Sequence, residues 1–230
     1  MPRALSMPGA RTDIPVLRRA RACRIAGLYA ITPDLADTEA LATRVSAALA
    51  GGASAVQYRN KSAGAALRRE QAWALARVHA RQGGLFIVND HPALAAEVGA
   101  DGVHVGQDDG SIETARAIVG PDRIVGVSCY DDLARAEAAV DQGADYVAFG
   151  SFFPSTVKPA ARSARLELLE RARTLGVPVV AIGGITAQNA PDLVRAGADA
   201  VAVISAVFAA DDVEGAARRF GRLVESGARA

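Results

Sequence analysis

Cysteine is scarce: Cys23 and Cys129 are the only two in the chain. One pair cannot form a disulfide framework, so the sequence reads as a protein with two reduced thiols, which places it in the cytoplasm. An excess of either charge is also missing. Lys and Arg total 26 against 25 Asp and Glu, a net charge of +1, which excludes a broad nucleic-acid-binding surface and leaves room only for local basic sites. No apolar run approaches the ~20 residues that cross a bilayer, so no membrane partner is expected. Acids and serine are scarce in residues 1–24, where six arginines face a single acid, Asp13, and a single serine, Ser6. A secretory signal would need a long apolar core, which this segment lacks, and a transit peptide would carry more serine. The expectation is an Arg-rich leader or an extra helix packed across one end of the fold, with residues 25–230 forming a single domain.

What is present is a regular alternation. Half of the 230 residues are hydrophobic, enough for one domain with a large core. Strand-like runs fall at 28–32, 53–59, 85–88, 102–105, 124–127, 145–149, 177–182 and 200–204. Helical spacing fills 38–50, 65–81, 92–99, 111–119, 131–142, 164–175, 188–196 and 213–226. A Gly-Ala-Asp phrase recurs at 99–101, 143–145 and 197–199, each time between a helix end and a strand start. Its glycine can end the helix in a left-handed conformation and its aspartate can organise the turn, so the repeat reads as architectural. Eight βα units in this length point to an α/β fold, a TIM (β/α)8 barrel. The rival is an open doubly wound sheet, which would usually carry a Gly-rich turn after the first strand; here that turn is Thr32-Pro33-Asp34.

In such a barrel, chemistry sits at the C-terminal ends of the strands. The stretch 85–110 anchors the reading. Two short parallel strands there lead into Asp90 and Asp109, and two converging carboxylates suit a hard cation such as Mg²⁺. Strand two ends in Gln57-Tyr58-Arg59-Asn60-Lys61, and alternation places Gln57, Arg59 and Lys61 on one side, where the two cations suit an anionic ligand. Strand three ends in Asn89, strand five in Ser128, and the long loop after strand six holds Ser155, Thr156 and Lys158. Gly183-Gly184 and Ile204-Ser205 follow the last two strands, the usual place for a phosphate in this fold. Cations and acids together make sense around a metal-bridged diphosphate. A second phosphate pocket across the mouth suggests transfer between two small phosphorylated molecules.

The phrases QYRNK at 57–61, IVNDHP at 87–92, ADGVHVGQDD at 100–109, VGVSCY at 125–130, FPSTVKP at 153–159, AIGGIT at 181–186 and VISA at 203–206 resemble those of the thiamin phosphate synthase family, in order and across nearly the whole barrel. The resemblance implies a Mg²⁺-dependent transferase that joins hydroxymethylpyrimidine diphosphate to hydroxyethylthiazole phosphate, giving thiamin phosphate and pyrophosphate. It implies that Gln57, Tyr58, Arg59, Asn60, Lys61 and Asn89 hold the pyrimidine diphosphate and that Asp90 and Asp109 bind the metal. Ser128 and Lys158 would contact the diphosphate or the pyrimidine, and with Arg59 and Lys61 would carry the catalysis. Ser155, Thr156, Val157, Gly184, Ile204 and Ser205 would bind the thiazole phosphate. Val157 departs from the family pattern, which often has Thr or Ser before the lysine; Ser155, Thr156 or the Val157 backbone would supply that contact.

The thiazole nitrogen attacks with a free lone pair, so no general base is required, and the protein must supply charge stabilisation and alignment. His104 is therefore read as structural and His91 as a neighbour of the metal ligand Asp90. Two alternatives stand beside this reading: a thiazole tautomerase-like relative and a non-catalytic sensor of phosphorylated ligands. Neither requires the metal carboxylates. The sequence leaves a homo-oligomer open.

Overall fold

The computed structural model describes residues 18, 20–106, 110–154 and 164–227. Eight parallel strands close into a barrel in sequence order: β1 Gly27–Ile31, β2 Ala55–Tyr58, β3 Leu85–Asn89, β4 Gly102–Val105, β5 Ile124–Tyr130, β6 Tyr146–Phe149, β7 Val179–Ile182 and β8 Ala200–Val203. The seam is closed by β1 against β8, with Gly27 opposite Ala200 and Ala30 opposite Val203. The helices are α1 Thr38–Ala50, α2 Ala65–Gln82, α3 Pro92–Glu97, α4 Ile112–Val119, α5 Leu133–Asp141, α6 Glu167–Ala172, α7 Ala190–Ala196, α8 Ser205–Phe208 and α9 Val213–Gly227. No helix among the described residues is long and apolar enough to cross a membrane.

The strands are buried on both faces, which is why they read as near-continuous apolar runs. One cluster fills the barrel interior with Tyr29, Ile31, Leu85, Ile87, Ile124, Tyr146 and Val180. The alternate residues, among them Val56, Phe86, Val88, Val103 and Val125, pack outward against the helices. Gly126 faces the interior without a side chain because a Cβ there would overlap the Tyr146 ring.

The recurring Gly-Ala-Asp phrase has one job in all three places. Each glycine has positive φ: 70° at Gly99, 94° at Gly143 and 121° at Gly197. Each aspartate then accepts a bond from the backbone N–H at the start of the preceding strand: Phe86 to Asp101 at 2.8 Å, Val125 to Asp145 at 2.8 Å and Val179 to Asp199 at 2.7 Å. The repeat therefore stitches neighbouring strands together at the N-terminal end of the barrel, opposite the expected mouth. Asp145 also pairs with Arg116 and with Arg18, the latter at 2.7 Å. At the same end Arg21 donates to the Asp122 carbonyl at 3.0 Å, and Ala22 and Ile25 are buried. The tail of the Arg-rich segment thus lies against this end; residues 1–17 and 19 are outside the described set.

Several element bounds differ from expectation, each for a local reason. β7 begins at Val179 rather than 177 because Pro178 has no N–H to give a ladder. β5 runs on through Ser128 to Tyr130, with an irregularity between those two residues opposite β6. The expected helix at 164–175 starts at Glu167 and tightens into a 3₁₀ turn over Arg173–Leu175, ended by Gly176 at φ 71°. The short helix α8 was not expected; four residues carry too little periodicity to be seen. By contrast α1 and α4 begin where their caps stand, Asp37 accepting from the Glu39 and Ala40 N–H groups and Ser111 from that of Thr114.

The two thiols occupy different environments. Cys129 is buried, and burial pushes its pKa up to about 12, whereas Cys23 is exposed. A chromogenic disulfide reagent at pH 8 should therefore titrate one thiol in the folded protein and two after denaturation; rapid reaction of both in the folded state would contradict the burial.

Candidate active site

The C-terminal edge of β1, β2 and β3 is tied together before any ligand is considered. Thr32, directly after β1, is fully buried; its hydroxyl donates to the Arg59 carbonyl and accepts from the Arg59 N–H, both at 2.9 Å. Asp34 Oδ1 then accepts from Arg59 Nη1 at 3.1 Å and from the Lys61 N–H at 3.2 Å. Lys61 Nζ reaches to 3.6 Å from Asp90 Oδ2. Asp90 has φ 60°, a left-handed conformation that Asp tolerates better than most side chains, and its N–H bonds the His104 carbonyl at 2.9 Å. This turn at the end of β3 brings its carboxylate to the Lys61 side. Arg59, Lys61, Asn89 and Asp90 therefore share one rim. A groove of about 220 Å³ opens there, lined by Tyr58, Asn60, Lys61, Arg68, Asn89, Asp90 and His91.

Three residues of the QYRNK phrase, Gln57, Tyr58 and Asn60, use polar atoms inside the protein, the last two at the turn after β2. The Tyr58 hydroxyl donates to Gln71 Oε1 at 2.9 Å, and burial pushes its pKa up to about 12. The Asn60 amide donates to the Leu35 carbonyl and to Gln71 Oε1, while its oxygen accepts from Ser62 and from the Ala63 N–H. Both organise the turn that presents Arg59 and Lys61. Gln57 points into the barrel, 3% exposed, and donates to the Tyr29 hydroxyl at 3.0 Å. The same-side placement of Gln57, Arg59 and Lys61 therefore holds only loosely: Gln57 is interior, Arg59 braces against Asp34, and Lys61 is the exposed tip. The cause is that β2 ends at Tyr58, so strand alternation no longer governs the next three residues.

Further round the barrel, Ser128 is half-buried at the end of β5, and its hydroxyl lies 2.9 Å from His104 Nε2. His104 is inside the barrel with its other ring nitrogen 2.9 Å from the Tyr146 hydroxyl, in line with the structural role expected of it. Beyond β7, Gly183 has φ 102° and Gly184 φ 62°. A Cβ on either would collide with the loop after β6, at Ser151 for Gly183 and at the Phe153 and Pro154 carbonyls for Gly184. The Gly184 carbonyl accepts from the Asn189 amide at 3.1 Å. β8 stops at Val203, Ile204 turns the chain, and Ser205 opens α8. These backbone-rich turns lie side by side, because β7 and β8 are paired.

Asp109, Ser155, Thr156, Val157 and Lys158 lie outside the described residues. Sequence reasoning missed Asp34 and Arg68. Asp34 was read as a turn residue, although it follows β1 at the same edge as the other rim residues. Arg68 comes from the first turn of α2, where helix periodicity marks only a surface position; it donates to the Ala63 carbonyl at 2.6 Å.

The donor chemistry can be tested against Mg²⁺. Asp90 is a hard oxygen donor whose side chain is 18% exposed at the groove, beside Asn89. No group of three or more His, Cys, Asp or Glu gathers among the described residues. Mg²⁺ is usually held by one or two carboxylates with substrate phosphates completing the shell, so Asp90 fits as one of its ligands.

A closed (β/α)8 barrel with cations, a carboxylate and glycine turns on its C-terminal rim belongs to the class of TIM-barrel enzymes. Residues 28–207 match the family described as thiamine monophosphate synthase. The chain is 54% identical over 199 residues to the thiamine-phosphate synthase of Methylobacillus flagellatus, covering 86% of this chain and 95% of that one. It is 57% identical over 198 residues to that of Thiobacillus denitrificans, covering 86% and 94%. The solved thiamine phosphate pyrophosphorylase from Pyrococcus furiosus superposes with a TM-score of 0.81 at 38% identity, covering 90% of this chain and 98% of that one. The chain belongs to the thiamine monophosphate synthase family.

Proposed function

We propose that this protein joins hydroxymethylpyrimidine diphosphate to hydroxyethylthiazole phosphate, releasing pyrophosphate and forming thiamin phosphate. Family membership supports the reaction, and one observation carries it in this chain: Lys61 and Asp90, from two strand ends, meet at a single groove, with Arg59 held beside them on the same rim by Asp34. The bond between the pyrimidine methylene carbon and the diphosphate oxygen breaks, and its electron pair leaves with pyrophosphate. The electron-rich aminopyrimidine stabilises the cationic carbon. The thiazole nitrogen then donates its lone pair to form the new C–N bond, so no side chain has to remove a proton.

In this reading Arg59, Lys61 and Ser128 face the leaving diphosphate, with Lys158 joining them from the loop after β6. Asn89 and Gln57 hold the pyrimidine end. Tyr58, Asn60 and Asp34 act one step back, by setting the turn that carries the two cations. Asp90 and Asp109 would hold Mg²⁺. When bound, the metal supplies positive charge to the leaving diphosphate. Gly184, Ile204 and Ser205, with residues 155–157, take the thiazole phosphate. We assign the reaction to the cytoplasm, consistent with reduced thiols. No observation favours the tautomerase-like or sensor readings, which have no use for Arg59, Lys61 and Asp90 together.

The test is to mix both substrates with Mg²⁺ and follow pyrophosphate and thiamin phosphate together. The two products are expected in equal amounts. Tight binding of the thiazole phosphate without any pyrophosphate release would support the sensor instead.

A further inference from the structure

The barrel interior holds a continuous line of polar atoms from Gln57 to Ser128, and its three middle members, Tyr29, Tyr146 and His104, have no part in the chemistry above. Gln57 Nε2 donates to the Tyr29 hydroxyl at 3.0 Å, the Tyr29 and Tyr146 hydroxyls are 2.8 Å apart, Tyr146 is 2.9 Å from His104 Nδ1, and His104 Nε2 is 2.9 Å from Ser128 Oγ. The rings pack as well as bond: Tyr29 and Tyr146 centroids are 6.1 Å apart and His104 and Tyr146 centroids 5.5 Å. Gly126 exists as glycine to leave space for the central ring.

The direction of this line follows from its first member. An amide N–H₂ only donates, so the Tyr29 oxygen accepts from Gln57 and its own proton must go elsewhere. Among the described residues the Tyr146 oxygen is its hydrogen-bonded neighbour, so Tyr29 donates to Tyr146. The Tyr146 proton then goes to His104 Nδ1. A ring nitrogen that accepts leaves the other to carry the proton, so Nε2–H donates to Ser128 Oγ. The reverse order would leave the Tyr29 proton unpaired at a site 1% exposed, which is expensive. Burial also raises the pKa of both tyrosines, so neither loses its proton at neutral pH.

We propose that this buried chain turns the Ser128 proton towards the barrel mouth, which makes Tyr146 and His104 positioning residues for the leaving diphosphate. The contact between Ser128 and the diphosphate rests on the function proposed above. The polarity of the chain does not.

Two measurements test the proposal separately. In the substrate-free parent protein, long-range ¹H–¹⁵N correlation of the imidazoles, assigned with His104→Asn, should show His104 with its proton on Nε2. A proton on Nδ1, or on both nitrogens, overturns the polarity. In the second, Tyr146→Phe keeps the ring and removes one hydroxyl, and should lower kcat by roughly ten- to hundredfold. KM for the pyrimidine diphosphate should stay within about threefold, because binding contacts are retained. Adding Ser128→Ala to that variant should reduce kcat little further than Ser128→Ala alone, since both changes disable one hydroxyl. Unchanged turnover, or losses that multiply independently, overturns the positioning role. If the parent itself releases no pyrophosphate, the proposed reaction fails, and the imidazole spectrum still decides the relay.

Discussion

Asp90→Asn is expected to lower kcat/KM for pyrophosphate release by about 10²–10³-fold, by analogy with the loss of one group that stabilises transition-state charge. Asparagine is the informative substitution. It keeps the shape, and it tolerates the φ of 60° at this position as well as aspartate does. What disappears is the negative charge beside Lys61, 3.6 Å away, and with it the proposed hard ligand for Mg²⁺. The concentration of Mg²⁺ required for half-maximal rate should rise while the melting temperature stays put. A variant with parental kcat/KM and parental Mg²⁺ response would remove the carboxylate from the mechanism. A variant that loses activity together with its fold would instead make Asp90 a structural residue of the β3 turn.

The second large effect concerns stability, at the opposite end of the barrel. Asp145→Ala should destabilise the fold by about 3 kcal/mol, the lower end of the range for breaking a buried pair by removing one partner. The carboxylate is 5% exposed and satisfies the Val125 N–H, Arg116 and Arg18 together. Its two arginines are 19% and 26% exposed, so water can partly take over their charge, which keeps the effect from the top of that range. The equivalent aspartates give an internal control. Asp101 and Asp199 make the same bond to a strand N–H, and no ion pair to either is among those the described residues form. Their alanine variants should lose about 1–2 kcal/mol each, the cost of one unmade buried hydrogen bond. Urea midpoints at constant slope measure the order; equal losses at all three positions would mean that the arginines contribute nothing.

These three aspartates also show what could be read from sequence and what could not. The Gly-Ala-Asp repeat announced a helix stop and a turn, because both are local events. Its target, an N–H on the preceding strand, is about 15–20 residues away and appears only once neighbouring strands are aligned. The eight-strand barrel was legible because runs of β-branched residues alternate with helical spacing and glycine stops. The exit of β5 was not, since Ser128-Cys129-Tyr130 carries no apolar alternation. At the rim, parallel neighbours implied that Asp90 and Asp109 would converge; Asp109 lies outside the described residues, and Asp90 meets Lys61 from the end of β2 at one groove. The directions of Tyr58 and Asn60 were not legible: both turn to Gln71, a residue of α2 whose buried position no periodicity rule assigns. The interior chain was invisible for a related reason. Tyr29 and Tyr146 look like ordinary core aromatics, and only the closed barrel brings strands 117 residues apart in sequence face to face.

The central claim is that a cationic rim and a carboxylate act together on a diphosphate through a metal. Calorimetric titration of the parent protein with pyrophosphate, with and without Mg²⁺, tests it without any turnover. Binding should require Mg²⁺, weaken in Arg59→Gln, and need a higher Mg²⁺ concentration in Asp90→Asn. Equal affinity for pyrophosphate with and without the metal in the parent protein would contradict it.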